Sequence, residues 1–504
     1  MAKHTLKEPV DPRLDDSTID ENIPWPNVNK DMIRVLNTNT WMYYGGLAFF
    51  VTMVLISSAI FYNMTTRGLG LLGESNAVFW GLDIPAFIFW IGLSHAGTFL
   101  SAVLFYARSN WRRSIYRYAE LMTLFSLLNV FMILTIHLGR PWRFWFGMPV
   151  PFNGRFLWPS YRSPLAWDLI AITTYTTGSA LFLYLGMVPD FAGLRDHVGG
   201  WRKKIFKVAS LGWRGTDKEW KFLIQAYSLI GAMIIPLMAS VHSLVAWDFV
   251  NTMVPGFHNT MFAPFFVAGA LYSGIAGVIM LVIPIRRMFH LEDYIRISHF
   301  EKLGRLMLLL SLVWIYFQSI EAWGAWYKQD SFETFAFLAK AIGPWAPWYW
   351  FMIAVCGVMP MALFSRKVRT NLPVMFVGSI IINIGMFIER FLIIVPGESI
   401  THLPSTWKFY VPTVHEVFIY IILPISLFGT LFMLSLKLVP HLSLYEIKEI
   451  LTVPMRPAVE TAKATPKSKA HDSKAAIEID SEAELFSDVD DIIEEKKEED
   501  KEDG

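Results

Sequence analysis

Residues 261–285 read MFAPFFVAGALYSGIAGVIMLVIPI. No residue in the stretch is charged, and the pair Arg286-Arg287 ends it. A helix of this length reaches about 38 Å at 1.5 Å per residue, more than the roughly 30 Å of a bilayer core. The run shows no alternation of apolar and polar residues and is too long for a strand, so it reads as a transmembrane helix. In lipid the backbone must satisfy its own hydrogen bonds, which leaves helices and closed barrels as the only choices.

Nine more runs of this kind flank it. With it, the spans fall at 41–62, 78–106, 117–138, 164–188, 222–248, 261–285, 304–326, 345–364, 372–395 and 415–437. The sequence therefore predicts an all-α integral membrane protein of about ten transmembrane helices. Composition agrees: of 504 residues, 54% are hydrophobic and 17% charged, with 39 Phe and 20 Trp. A soluble chain of this length divides into domains with polar surfaces and has no use for such long apolar runs.

Charge sets the orientation. Arg108, Arg112, Arg113 and Arg117 follow the second span, and Arg195, Arg202, Lys203, Lys204, Lys207, Arg214 and Lys218 follow the fourth. Arg286, Arg287, Arg296 and Lys302 follow the sixth, and Arg366, Lys367 and Arg369 the eighth. The alternate loops are poor in Lys and Arg, so both termini are expected in the cytoplasm. The exception is 139–163, with Arg140, Arg143, Arg155 and Arg162 on the outer side. Headgroup contacts account for these as well as a bound partner does. The first forty residues are polar, so the first span is expected to act as an uncleaved insertion signal. Residues 1–40 form a cytoplasmic segment, 41–437 the membrane domain, and 438–504 a cytoplasmic tail. From Thr452 the tail is rich in Ala, Lys, Glu and Asp and reads as disordered, with one amphipathic turn near 483–493. The excess of basic charge in the membrane part suits anionic lipid, and nothing suggests nucleic acid.

Spans two to five (about 78–248) and six to nine (261–395) echo one another in length and loops. Ile136-His137 and Ile320-Glu321 end corresponding spans, each with a Trp five residues on, Trp142 and Trp326. The echo predicts two four-helix bundles side by side, with flanking helices.

Ionisable groups inside spans are costly and default to functional roles. His137, His242 with Asp248, Glu321, and Glu389 with Arg390 end outward-running spans. Asp83, Asp168 and His415-Glu416 begin inward-running ones. Nearly all of them therefore gather at the outer face. Interface anchoring explains Asp168 at a helix N-terminus but not Asp248 at a C-terminus, where negative charge is disfavoured. Such a set suits quinol oxidation. A histidine holds the ring oxygen and takes a proton, and carboxylates carry protons away. Further in, His95, Thr98, Ser101, Thr123, Ser126, Asn129 and the hydroxyls of 173–179 could form a proton wire. Interhelical hydrogen bonding is the simpler account of all but His95. Asp83, Glu321 and Glu389 join His95 as candidates for a proton path. The one cysteine, Cys356, cannot build a disulfide, a thiolate zinc site or an iron–sulfur cluster on its own, so any metal centre belongs to another subunit.

His137-Leu138-Gly139-Arg140-Pro141, followed by Ser163-Pro164-Leu165-Ala166-Trp167-Asp168, resembles the NrfD or polysulfide-reductase membrane-subunit family. Over 41–437 the outline is most similar to the ActC subunits of alternative complex III. The resemblance implies a menaquinol site near the periplasmic face of a bacterial inner membrane, with no haem or metal in this chain. It implies a periplasmic iron–sulfur subunit, c-type haem subunits and a second homologous membrane subunit as partners. It carries over His137, Asp168, Asp248 and Arg390. The site expected is thus His137, Asp168 and Asp248 for the chemistry, with Arg140, His242 and Arg390 holding the quinol. Sequence alone leaves open whether proton translocation accompanies it. Three alternatives stay open: a quinone-reducing anchor of a molybdenum enzyme or hydrogenase, a cytochrome b with haem between His137 and His242, and a transporter with helices broken at Pro85 or Pro236.

Overall fold

A computed structural model describes residues 25–38, 40–142, 164–258, 261–400 and 402–452. Arg143, Arg155, Arg162 and the expected turn at 483–493 lie outside them. Among the described residues the chain is all-helical, and ten helices are long and apolar enough to cross a membrane. They are α2 (Trp41–Arg67), α3 (Asp83–Tyr106), α4 (Tyr116–His137), α5 (Pro164–Leu194), α7 (Asp217–Val250), α8 (Phe262–Met288), α9 (Ile297–Lys328), α11 (Ala346–Phe364), α12 (Leu372–Ser399) and α13 (Val414–Leu438). The helices of nine or more residues outside the spans are α1 (Trp25–Asn37), α6 (Gly200–Ala209), α10 (Ser331–Ala341) and α14 (Leu444–Thr452).

Most of the helices outrun the apolar stretches because polar turns cap them beyond the lipid. α7 starts at Asp217, where Thr216 and Glu219 form a reciprocal capping box. At 78–82, by contrast, an apolar stretch precedes its helix: α3 begins at Asp83, with Pro85 in its first turn, where the missing N–H costs nothing. Pro85 therefore breaks no helix, and α7 continues through Pro236. π-helical turns interrupt three spans, at Phe99–Val103 in α3, Ile353–Val358 in α11 and Val417–Ile422 in α13.

Two four-helix bundles result, α3–α4–α5–α7 and α8–α9–α11–α12, flanked by α2 and α13. α3 and α8 run through the middle. The central part of α3 is 83% buried, whereas that of α2 is 6% buried and turns its side chains to lipid. α3 and α8 meet through small residues spaced four apart, Gly92 and Ala96 against Ala270 and Gly274. A Cβ on Gly274 would stand 2.8 Å from that of Ala96, and one on Gly92 would stand 3.4 Å from the Ala270 Cα. Lipid tails are as apolar as leucine, so close backbone approach is what holds such helices together.

Hydroxyls on the inner trail mostly serve packing. Thr173, Thr174, Thr176 and Thr177 donate to carbonyls one turn back in α5. Thr123 donates to the Ser94 carbonyl across α3–α4, and Thr98 meets Tyr175 at 2.8 Å across α3–α5. At the arginine-rich end, buried Arg117 binds Asp190 at 3.0 Å. Asp190 in turn accepts the Leu444 N–H at 2.9 Å and caps α14. Arg112 holds Glu446 of the same helix at 3.2 Å.

Gly274→Leu should force α3 and α8 apart, at a cost of about 1–3 kcal/mol typical of overpacking. The expected readout is a lower melting temperature in mild detergent. Gly324→Leu, where an added Cβ meets no atom within 4 Å, should leave it unchanged.

Candidate quinol site

Two polar groups line the end of the bundles opposite the arginine-rich loops, and a third lies further in. The first is built around His137, the last residue of α4. Its Nδ1 lies 2.5 Å from Oδ2 of Asp83, the first residue of α3. The two meet because α3 and α4 are antiparallel neighbours, so the start of one faces the end of the other. The Asp83 side chain is 1% exposed and that of His137 33%, so a buried carboxyl stands behind an accessible ring. Gly139, at φ +67°, turns the chain away after it, and Arg140 is exposed beyond.

Acidic residues surround this pair. Glu416, at the start of α13, is fully satisfied: it accepts from the Gly73 N–H at 3.0 Å, the Thr413 N–H at 2.6 Å and the Tyr410 hydroxyl at 2.7 Å. It thereby ties the 68–82 connection to α13. Glu398, near the end of α12, accepts from the Trp80 N–H at 2.9 Å while its other oxygen has no partner among the described residues. Glu74 lies in the connection itself, half-buried, with Oε1 also unpartnered among them. Burial, reinforced by the charges of Asp83 and Glu416 and opposed by His137, pushes the Glu74 carboxyl up to about 8.

The second group is Asp168 of α5 with Asp248 of α7, two mostly buried carboxyls close enough to influence each other. The third group lies deeper, at the seam between the bundles. The His95 and His242 rings are 4.6 Å apart. His95 faces the Ile91 carbonyl with Nδ1 at 2.8 Å and the Met238 carbonyl with Nε2 at 3.0 Å. His242 is fully buried, and neither ring nitrogen has a partner among the described residues. Arg390 lies 5.0 Å above the Phe266 ring and 3.3 Å from Glu389, which accepts from the Trp314 indole at 2.5 Å. Its guanidinium fits because position 269 is glycine: a Cβ there would stand 2.5 Å from Arg390 Nη2. An aromatic series, Trp80–Phe249–Phe266, with centroids 5.3 and 5.9 Å apart, leads from the first group to the third.

The sequence names most of these residues but not their pairings. Asp83, expected on a proton path, is the partner of His137. Glu321 is held by Lys340 at 2.5 Å and by Gln318 at 2.9 Å in the other bundle. His137 and His242, the two ligands a shared haem would need, belong to separate groups with different neighbours. Among the described residues no cluster of three or more His, Cys, Asp or Glu side chains is arranged to hold a metal ion. Sequence reasoning misses Glu74, Glu398 and Tyr410. Glu74 follows a Gly-rich connection outside every apolar run, and Glu398 lies just past the hydropathy end of its span.

Residues 70–401 match the polysulphide reductase NrfD family along about two thirds of the chain. The chain belongs to the NrfD family. Among curated NrfD relatives, a putative dimethyl sulfoxide reductase membrane subunit of Halobacterium salinarum is 24% identical over 360 residues, covering 70% of this chain and 77% of that protein. A selenate reductase subunit of Mesobacillus selenatarsenatis is 22% identical over 374 residues, covering 72% and 83%. Both are subunits of reductases, so this NrfD protein is similar to components of oxidoreductase complexes.

Glu74 gives the site a pH signature. The folded protein keeps the Glu74 proton up to about pH 8, whereas a free carboxyl releases it near its ordinary value of 4.5. Between those values the native state binds more protons, so stability falls as pH rises through the window. Glu74→Gln should flatten that slope and leave the variant more stable than the parent above pH 8, as read from melting temperatures across the range.

Proposed function

We propose that this NrfD protein is the quinol-oxidising membrane subunit of a respiratory or photosynthetic electron-transfer complex, with the His137 end facing the periplasm of a bacterial inner membrane. Menaquinol enters from the bilayer and gives up two electrons and two protons. The observation that carries the reading is the His137–Asp83 pair. The buried Asp83 carboxylate accepts the Nδ1 proton of His137 and so leaves the lone pair on Nε2, the nitrogen free to accept a proton from a quinol hydroxyl. Glu74, which holds a proton up to about pH 8 beside the pair, releases it outward and is refilled from His137. The Asp168–Asp248 carboxyls accept the second. Arg140 stands at the mouth, and His242 and Arg390 offer polar contacts beyond the Phe249–Phe266 wall. The two electrons leave to an iron–sulfur cluster of a periplasmic partner, with c-type haem subunits and a second homologous membrane subunit completing the complex.

The names of the relatives support a second reading of the partner. Dimethyl sulfoxide and selenate reductases consume electrons, and a membrane subunit that serves such an enzyme oxidises quinol at the same residues. In that case a molybdenum enzyme takes the place of the haem subunits. If the partner instead delivers electrons, as a hydrogenase does, the site reduces quinone, because the same groups serve either direction.

His137→Ala and Asp168→Asn should each lower quinol oxidation by roughly 100-fold or more, the usual worth of a positioned acid–base group, while the complex still assembles. Asp83→Asn should lower it with His137 in place, through loss of the fixed tautomer. Full activity in all three would remove the assignment. Subunits co-purified from native membranes in mild detergent identify the partner. An iron–sulfur protein with c-type haems selects the first reading, and a molybdenum subunit selects the second.

A further inference from the structure

Helix α6 lies in the arginine-rich connection between α5 and α7, far from the polar groups above. Residues 199–215 contain five Lys or Arg and no Asp or Glu. One side of α6 is anchored: Phe206 is buried, with its ring 5.2 Å from Phe191 of α5, and the Ala209 carbonyl accepts from the Tyr184 hydroxyl at 2.8 Å. A second side carries Trp201, Ile205 and Val208, spaced four and three so that they form one stripe, and all three are exposed. Val208 is 76% exposed and Leu211, just past the helix, 71%. Lys204 and Lys207 lie to one side of that stripe and Lys203 further round the helix, and all three are exposed.

Depth decides what covers this face. Tyr184 is seventeen residues beyond Trp167 on α5, about 26 Å at 1.5 Å per residue. Trp167 marks one membrane boundary, and a hydrocarbon core is about 30 Å thick, so the Tyr184–Ala209 contact holds α6 at the other boundary. A helix tied at that depth, with an apolar stripe beside a row of lysines, has the pattern of one lying in the plane of a lipid interface.

We propose that α6 is an in-plane helix that binds anionic phospholipid, with Trp201, Ile205 and Val208 set among the acyl chains and Lys203, Lys204 and Lys207 on the phosphates. Charge complementarity selects the occupant: five basic groups without one acid suit a negatively charged leaflet, and an acidic protein surface would leave the apolar stripe uncovered.

The test uses the full-length chain. Cys356 is buried, so Val208→Cys gives a single reactive thiol for an environment-sensitive fluorophore. The labelled protein is placed in nanodiscs of phosphatidylcholine alone or mixed with phosphatidylglycerol. The expected result is a blue-shifted probe, protected from iodide, when phosphatidylglycerol is present. Lys203→Gln, Lys204→Gln and Lys207→Gln should each lower the fraction of lipid-buried probe by about fivefold in equilibrium constant, the worth of one basic residue at an anionic surface. Equal iodide quenching in both lipids would overturn the proposal, because anionic lipid would then make no difference to the burial of the stripe. Protection that the glutamine variants leave unchanged would also overturn it, because an uncharged contact would then cover the helix.

Discussion

The close crossing of α3 and α8 is the constraint on which the rest of the molecule depends. Two bundles joined by leucine-sized side chains would sit farther apart, with lipid competing for the gap. Gly92, Ala96, Ala270 and Gly274 bring the backbones together, and that distance fixes everything built on both bundles. Arg390 of the second bundle can lie against α8 only because position 269 is glycine. The same closeness buries His242 and the Arg390 guanidinium. Cost of burial is high for such groups unless they serve a ligand or a proton, so their retention argues for use.

The three polar groups share a design. In each, one residue comes from the start of a helix and its partner from the end of another, or the partners come from neighbouring helices at equal depth. Antiparallel packing makes this cheap, since every helix pair offers one start beside one end. Where a pair is fully satisfied, as with Glu416 and its donors from Gly73, Thr413 and Tyr410, it braces a connection. Where an oxygen is left over, as on Asp83, Glu74 and Glu398, there is capacity for a proton.

The spans were legible because hydropathy is a one-dimensional property. A charged residue ends an apolar run wherever the helix sits in three dimensions, so all ten spans emerged with little more than their polar end turns missing. Depth was legible for the same reason: counting from a span end located His137, Asp168 and Asp248 at one face. Pairing was not, because it depends on the rotation of each helix about its axis. Asp83 and His137 stood at the same depth but received different roles, and nothing in the sequence turns one towards the other. Ile136-His137 and Ile320-Glu321 fall towards the ends of α4 and α9. Their side chains part company: His137 meets an aspartate, and Glu321 meets Lys340 on α10, an amphipathic helix too short for a hydropathy reading to find. Glu74 escaped for the opposite reason, since it belongs to no helix at all.

The first span has an unusual place in the chain's history. Among the described spans α2 packs chiefly on α13, and Tyr43 near its start donates to the Met433 carbonyl at 2.8 Å. The chain between them spans most of the protein. At ~5–20 residues per second, roughly twenty seconds to over a minute of synthesis separates the insertion of α2 from that of its neighbour. During that interval α2 waits in the bilayer as a lone helix, and its central part, 6% buried even when the protein is complete, is suited to the wait. Of the described spans, α13 is made long after α2 and is the one that fastens it, so a ribosome that stalls before α13 leaves α2 without its neighbour, and quality control has a loose helix to recognise.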